Sequence, residues 1–295
     1  MDLPIDEKTL SEKALADLVS NALAEDLGKV DLTTEALVAE GAAGRADIRA
    51  KAVGVLAGQF VAEAVFRRLD VEYEIARPDG ARTEPGLVVG RARGDLRALL
   101  TAERAALNFL AGLSGIATLT AKFVDAVAGT KARILDTRKT TPGYRALQKY
   151  AVRMGGGTNH RMGLDHQVLV KENHIAAARI SGTAHNFDAA VRRLSAHVPE
   201  GTVVGIEVQN LGELHMALEV APDFILCDNF NLPDLKLAVE IRDGWPGDAR
   251  PELEASGGIT LANVAEVAAT GVERISVGAL THSAKALDLS MGIES

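Results

Sequence analysis

Beyond residue 132 the chain alternates short apolar runs with segments of helical periodicity, and this alternation constrains the fold more than any other feature. Six runs have the length and composition of β-strands, with a helical pattern between consecutive runs. The predicted strands are 133–136, 167–171, 203–208, 224–227, 252–255 and 274–277, and the predicted helices are 144–154, 187–197, 211–220, 232–242 and 261–269. Such alternation implies parallel strands joined by right-handed crossovers, and therefore an α/β barrel or a doubly wound sheet.

Polar residues follow almost every predicted strand, and their positions favour the barrel. They occur at 136–139, 171–173, 207–209, 228–229, 256–258 and 278. In an α/β barrel the carboxyl ends of all strands converge on one mouth, where barrel enzymes place their sites. No GxGxxG motif follows the first strand, so a dinucleotide-binding sheet gains no support.

The first part of the chain follows no regular order of strands and helices. Its patterns predict strands at 46–57, 71–76 and 87–93 and helices at 60–69, 96–113 and 116–128. We therefore predict a separate α+β domain over residues 1–115 and an α/β-barrel domain over 116–280. The short tail 281–295 is predicted to return to the first domain.

Charge is distributed unevenly along the chain. The formal net charge is −8, yet residues 131–174 contain nine Lys or Arg against three acids and so carry +6. A basic segment within an acidic protein indicates a site for a small anionic ligand, and the overall acidity argues against nucleic acid as a partner. The single cysteine, Cys227, excludes an intramolecular disulfide and a cysteine-based zinc site.

Candidate anion ligands lie within this basic segment. Arg138 and Lys139, followed by Thr140, come directly after the first predicted strand, and Lys171 ends the next one. The sequence His160-Arg161 comes shortly after three consecutive glycines. Adjacent cations suit a bidentate grip on carboxylate or phosphate, although a solvated basic turn and a plain glycine hinge would also fit these patterns.

Two acids and two runs of small residues complete the candidate site. Glu207 and Asp228 end successive predicted strands, where carboxylates can bind a sugar diol, hold hydrated Mg²⁺ or stabilise positive charge on a reacting carbon. The alternative for these acids is a structural role in capping a helix. Small residues at the ends of the last two strands let backbone amides face a phosphate, and they are Ser256, Gly257, Gly258, Ser276, Val277 and Gly278.

Neither a secretion signal nor a membrane span is predicted. The first thirty residues contain many charges and no apolar segment of the signal-peptide type. No run of eighteen apolar residues is present. We therefore expect a cytoplasmic protein with no membrane partner.

Several motifs in the chain are long and specific. They are LDTRKTTPGYR, GGGTNHRMGLDHQVLVKENHI, IEVQN, ILCDNF, EASGGIT and ISVGALTHSAKALDLS, with AEDLGKVDLTT and TAERAALNFLAGLSGIAT nearer the start. Together they resemble the quinolinate phosphoribosyltransferase family over nearly the whole chain. The resemblance implies an enzyme of NAD biosynthesis that makes nicotinate mononucleotide, pyrophosphate and carbon dioxide from quinolinate and phosphoribosyl pyrophosphate.

The resemblance also implies an architecture and a set of roles. The fold would be an α/β amino-terminal domain followed by an incomplete, roughly seven-stranded barrel, working as a homodimer or a multiple of dimers with Mg²⁺. Glu207 and Asp228 would hold the ribose hydroxyls and Mg²⁺, and with Lys139 and Lys171 they form the predicted catalytic set. Arg104 would enter the neighbouring subunit's site and contact quinolinate. The remaining predicted ligands are Arg138, Thr140, His160 and Arg161 for anions, and Ser256, Gly257, Gly258, Ser276, Val277 and Gly278 for the 5-phosphate.

Two alternatives remain open at this point. A related pyrophosphorylase-like protein encoded with molybdenum transport systems shares the barrel and the phosphate site but would differ in the pocket for the aromatic acid. The other alternative is a non-catalytic barrel that only binds phosphorylated ligands. The acids Glu207 and Asp228 argue against it, because carboxylates that face an anion weaken its binding.

Overall fold

The computed structural model describes residues 11–184, 186–195, 197–247 and 250–294. They form two units. The first comprises the described chain up to Lys122, Thr140–Gly157 and the chain from Leu280 onward, and the second comprises Phe123–Lys139 and Thr158–Ala279.

In chain order the elements are α1 (Glu12–Leu27), α2 (Leu32–Leu37), β1 (Ala43–Ala50), β2 (Gly54–Val55), α3 (Gln59–Arg67), β3 (Glu72–Ile75), β4 (Arg82–Thr83), β5 (Val88–Asp95), α4 (Leu96–Ala126), β6 (Arg133–Leu135), α5 (Arg145–Met154), β7 (Val168–Val170), α6 (Glu172–Ile180), α7 (Phe187–Ser195), β8 (Val204–Val208), α8 (Leu211–Val220), β9 (Phe224–Asp228), α9 (Leu232–Asp243), β10 (Glu252–Ser256), α10 (Val264–Ala268), β11 (Arg274–Ser276), α11 (Ala279–His282) and β12 (Leu289–Glu294).

An antiparallel sheet in the order β12-β1-β5-β3 organises the first unit. Ala46, Ile48 and Ala50 alternate along β1 and are buried, as the period of two along a strand requires for its core face. Helix α3 contributes buried apolar side chains, Phe66 among them, and it contacts β3.

The carboxyl-terminal strand belongs to this sheet. β12 lies against β1 from Leu289, opposite Ala50, to Glu294, opposite Arg45. The first unit contains the chain from Leu280 onward, and it also contains 116–122 and 140–157, which lie beyond the predicted boundary at residue 115. Residues 1–10 and Ser295 of the predicted first domain lie outside the described residues.

Helix α4 is continuous over 31 residues, so the prediction of two helices, 96–113 and 116–128, was wrong. The Ser-Gly pair that suggested a break has a packing role instead. Ser114 Oγ accepts a hydrogen bond of 3.0 Å from the amide of Ala57. At Gly115 a Cβ would lie 2.1 Å from the carbonyl oxygen of Lys285, so only glycine allows this approach. By length and composition α4 could cross a membrane, but 61% of its most apolar stretch is buried within the protein, as in a core helix.

The second unit is built on parallel strands, as the alternation predicted. In the part of the chain that the structure describes, six strands form one parallel sheet in the order β6-β11-β10-β9-β8-β7. β6 and β7 are its edges, so the barrel is not closed. An isolated parallel bridge joins Leu135 to Thr158 and adds one short segment beside β6. The α/β fold class is therefore confirmed, with six strands in place of roughly seven.

The main difference in this unit is a helix that the periodicity did not reveal. α6 begins after Lys171 and buries none of its residues, and its apolar residues are nearly consecutive, at 175–178 and 180, so they show no helical period. Two reciprocal hydrogen bonds hold its first turn: the amide of Lys171 donates to Nδ1 of His174 at 3.0 Å, and the amide of His174 donates to the carbonyl of Lys171 at 2.8 Å. The helix predicted at 187–197 ends at Ser195, and the one predicted at 261–269 is limited to Val264–Ala268.

Candidate active site

A cavity of about 410 Å³ opens at the carboxyl ends of the parallel strands in the second unit. Each strand of the sheet brings at least one lining residue to it, either at its end or immediately after it. The lining residues are Thr137, Arg138, Lys139, His160, Arg161, Leu169, Lys171, Glu207, Leu226, Asp228, Glu254, Ser256 and Ser276. Nine of the residues predicted from the sequence therefore share one cavity.

A buried aspartate organises the loop after the three glycines. Asp136, which directly follows β6, has no solvent exposure. Its carboxylate accepts a 2.9 Å hydrogen bond from the amide of His160 and one of 2.5 Å from Nδ2 of Asn159. The amide of Thr158 donates to the carbonyl of Ile134 at 2.8 Å. These bonds fix the backbone that carries His160 and Arg161, so that loop is a built part of the cavity wall.

The floor of the cavity contains a carboxylate that the sequence did not reveal. Glu254 on β10 is completely buried. Its Oε1 lies 3.3 Å from Nε2 of His160, and its Oε2 accepts a 2.7 Å hydrogen bond from Nε of Arg274. Burial acts to raise the pKa of Glu254, but the His160 ring and the Arg274 guanidinium lower it to about 2. Glu254 is therefore a carboxylate anion at neutral pH.

Cations dominate one side of the cavity. Arg161 is buried and donates from Nη1 to the carbonyl of Gln167 at 3.1 Å. Burial lowers the pKa of its guanidinium, and the nearby charge of Arg138 lowers it further. Because an arginine stays protonated in proteins, the two guanidinium groups repel each other across the cavity, and an anion between them would offset that repulsion.

Carboxylates line the other side. Glu207 on β8 forms an ion pair with the ammonium group of Lys171, which follows β7. Asp228 ends β9 and accepts a hydrogen bond of 2.9 Å from Nδ2 of Asn229. Asn229 has a left-handed backbone conformation, with φ of 56°. The cavity thus presents anion-binding groups and oriented carboxylates together.

Small residues shape the ends of β10 and β11. The amide of Asn229 donates to the carbonyl of Ser256 at 2.8 Å and so connects the ends of β9 and β10. Gly257 and Gly258 follow with φ of 95° and 63°, a region that favours glycine. The amide of Val277 donates to the carbonyl of Leu135 at 2.8 Å, so it cannot donate to a phosphate at the same time.

Profiles of two domains match the chain in succession. The "Quinolinate phosphoribosyl transferase, N-terminal domain" covers residues 31–114, and the corresponding "C-terminal domain" covers residues 116–292. The chain belongs to the quinolinate phosphoribosyltransferase family. The family predicted from the sequence motifs is thereby confirmed.

Individual relatives are similar to this chain over almost its full length. The "Nicotinate-nucleotide pyrophosphorylase [carboxylating]" of Mycobacterium leprae is 42% identical over 287 residues, which are 95% of this chain and 97% of the relative. The crystallised nicotinate-nucleotide pyrophosphorylase of Francisella tularensis is 37% identical with a TM-score of 0.88, covering 99% of this chain and 98% of that one. A Nicotiana tabacum relative, 38% identical over 95% of this chain and 82% of its own length, is named mitochondrial. An Arabidopsis thaliana relative is named chloroplastic, so the names of relatives do not indicate one compartment, and a cytoplasmic location of this chain remains a prediction.

Two residues that were predicted to bind substrate lie in the first unit. Thr140 accepts a 2.9 Å hydrogen bond from Nε of Arg145 through its hydroxyl. Arg104 lies on α4 with a side chain 59% exposed, 3.5 Å from Glu103. Its guanidinium is therefore on the solvent side of the helix, and the apolar face of α4 contains the buried Leu99, Leu107 and Leu110.

The quinolinate phosphoribosyltransferase cavity also contains residues that the sequence analysis did not select. Leu169 and Leu226 are the apolar members of its lining, and Thr137 and Glu254 are polar ones. Thr137 stands between Asp136 and Arg138, so the convergence of strand ends could have indicated it. Glu254 directly precedes the Ala-Ser-Gly-Gly run. The residues that contact its buried carboxylate, His160 and Arg274, are remote in sequence, so the sequence did not indicate it.

The fit of Mg²⁺ to this cavity depends on Glu207 and Asp228. Within the described ranges, no cluster of three or more His, Cys, Asp or Glu side chains could hold a metal ion. Two carboxylates cannot form a complete protein cage. They do suit Mg²⁺, which keeps several water ligands and is bound through one or two carboxylates together with substrate phosphates.

Proposed function

We propose that this protein transfers the phosphoribosyl group of phosphoribosyl pyrophosphate to quinolinate and releases carbon dioxide, giving nicotinate mononucleotide and pyrophosphate. The observation that carries the proposal is the joint lining of one cavity by Arg138, Lys139, Arg161 and Lys171 with Glu207 and Asp228. A site for a phosphosugar alone would not need so many cations, and a site for simple anions would not need the carboxylates.

Quinolinate carries two adjacent carboxylates, which must lose water when they enter the cavity. Arg138 and Arg161 would offset that loss with charge-assisted hydrogen bonds, in which guanidinium groups can be bidentate. The repulsion between these two arginines supports this role, because a bound dianion removes it. Lys139 would complete the anionic pocket.

The acids Glu207 and Asp228 would act on the sugar. Departure of pyrophosphate leaves positive charge at the anomeric carbon, and oriented carboxylates stabilise such a charge. They would also accept hydrogen bonds from the ribose hydroxyls. Mg²⁺, when bound with the substrate, would neutralise the leaving pyrophosphate. Lys171, paired with Glu207, would contact the leaving group or a substrate carboxylate.

The second half of the reaction follows from the first. Attack by the ring nitrogen produces a pyridinium, whose positive charge stabilises the electron pair left on the neighbouring ring carbon when the carboxylate departs as carbon dioxide. A proton from water then adds to that carbon and gives nicotinate mononucleotide. No general base is required. The buried guanidinium of Arg161 would keep the carboxylate in place while the ring carbanion forms.

The phosphate and subunit assignments belong to the same proposal. Gly257 and Gly258, with Ser256, Ser276 and Gly278, would surround the 5-phosphate. Homodimerisation would bring Arg104 of a neighbouring subunit to the quinolinate, which is consistent with a solvent-facing guanidinium on α4. The preferred location for this activity is the cytoplasm.

The proposal is tested by measuring carbon dioxide released from carboxyl-labelled quinolinate with phosphoribosyl pyrophosphate and Mg²⁺. Stoichiometric nicotinate mononucleotide and pyrophosphate are expected. Pyrophosphate release with a different aromatic acid, and none with quinolinate, would favour the molybdenum-associated type. Binding of both substrates without turnover would indicate a ligand-binding barrel and contradict the proposal.

A further inference from the structure

Both ring nitrogens of His160 face protein groups. Nδ1 accepts a 2.9 Å hydrogen bond from the backbone amide of Arg161, and Nε2 of Gln167 lies 3.1 Å from the same nitrogen. A backbone amide can only donate. Nδ1 must therefore carry a lone pair, and a proton there would break the bond to Arg161.

The other nitrogen faces the buried carboxylate. Nε2 of His160 lies 3.3 Å from Oε1 of Glu254, an electrostatic contact that does not have the geometry of a hydrogen bond. Glu254 is held from its other side by Nε of Arg274. The Arg274 guanidinium lies 4.4 Å above the Phe224 ring, and the His160 ring meets that phenyl ring edge-on at 5.7 Å. The imidazole is thus fixed in position and in tautomer.

We infer that His160 is a positioning residue, held neutral with its proton on Nε2, which fixes the backbone of Arg161 in the anion pocket. Glu254 and Arg274 orient its ring, and Asp136 holds its amide. His160 is therefore neither a cation for the substrate nor its proton donor. The kinetic consequence rests on the proposed function, because it assumes that Arg161 binds a carboxylate of quinolinate.

Two substitutions of similar size distinguish the role of Nδ1 from the role of Nε2. In His160→Asn the side-chain amide oxygen can occupy the place of Nδ1 and accept from Arg161, whereas His160→Gln places its amide group near Nε2 and leaves the Arg161 amide without its acceptor. We expect His160→Asn to stay within about threefold of the wild-type KM for quinolinate, and His160→Gln to raise it roughly tenfold or more, with smaller effects on kcat. His215→Asn on α8 is the matched control. The reverse order of the two variants would overturn the inference.

The protonation state can be measured without turnover. In the full-length protein labelled with ¹⁵N-histidine, the His160 resonances should be those of a neutral ring protonated on Nε2 at pH 7, assigned by their loss in either variant. A doubly protonated ring, or a proton on Nδ1, would overturn the inference. This result stands even if the wild-type protein releases no carbon dioxide from quinolinate, in which case the proposed function alone fails.

Discussion

At the scale of single residues, Glu254 couples the charge of the site to the stability of the fold. The pKa of its carboxyl is lowered from 4.5 to about 2, against the effect of burial, by His160 and Arg274. A group whose folded pKa is depressed contributes stability above its unfolded pKa and loses it as the pH falls towards the folded value. This contribution should therefore be complete above pH 4.5 and disappear towards pH 2.

The prediction is that Glu254→Gln unfolds more easily at neutral pH and is less sensitive to acid. The substitution removes the charged hydrogen bond from Arg274, which keeps only its longer contact with Glu252, and this loss costs about 2 kcal/mol at pH 7. Urea unfolding of both proteins between pH 5 and pH 2 measures the difference. It should shrink as the pH falls, whereas a constant difference would show that the charge of Glu254 does not stabilise the fold.

Loss of Arg138 or Lys171 should affect turnover far more than folding. In Arg138→Ala or Lys171→Ala the substrate anions lose charge-assisted bonds worth about 1.5–3 kcal/mol, roughly ten- to a hundredfold in kcat/KM. Lys171 is half exposed, so water can replace its ammonium beside Glu207. Carbon dioxide release and thermal unfolding are the measurements, and Lys236→Ala on α9 is the control. Near-normal activity in either variant would remove that residue from the site.

At the scale of elements, the glycines after β10 allow a matched test of the proposed phosphate loop. Gly257 and Gly258 both have positive φ, so alanine strains either position by about 1 kcal/mol. Only at Gly257 would the new Cβ also meet Oδ1 of Asn229, at 2.1 Å, whereas the space at Gly258 is open. Gly257→Ala should therefore raise the KM for phosphoribosyl pyrophosphate roughly tenfold and Gly258→Ala much less. Equal KM values would show that the contact with Asn229 is unimportant.

The strands of the second unit could be predicted because parallel strands buried on both faces are continuous apolar runs. Their carboxyl ends then indicated the cavity. Helix α6 was not predicted, because its apolar residues are nearly consecutive and leave no periodic signal. Glu254 could not be predicted either, since a single acid in a strand looks like a solvent-facing residue until His160 and Arg274 are known to surround it. The family motifs identified the site residues that local patterns left ambiguous.

At the scale of the whole molecule, the decisive prediction concerns subunit complementation. If Arg104 acts in the neighbouring subunit's site, mixing Arg104→Ala with Lys171→Ala gives hybrid dimers in which one site is intact and the other lacks both residues. After random exchange half of the dimers are hybrids, so about a quarter of wild-type activity should return.

Subunit exchange must be verified by native mass spectrometry before activity is compared. Wild-type protein carried through the same procedure is the control for losses during exchange. If hybrids form and carbon dioxide release stays at the level of the separate variants, Arg104 acts within its own subunit or has no part in the reaction.

The pairing of β12 with β1 has a consequence for how the protein is made. Arg45 pairs with Glu294, which the ribosome adds 249 residues later. Until β12 has been made, this edge of β1 is free, and a free edge in a nascent chain invites pairing with strands of other chains. Arg45, Asp47 and Arg49 place charges along that edge, and charged edges resist such pairing. We expect newly made chains to depend on these three charges to escape aggregation until β12 covers the edge.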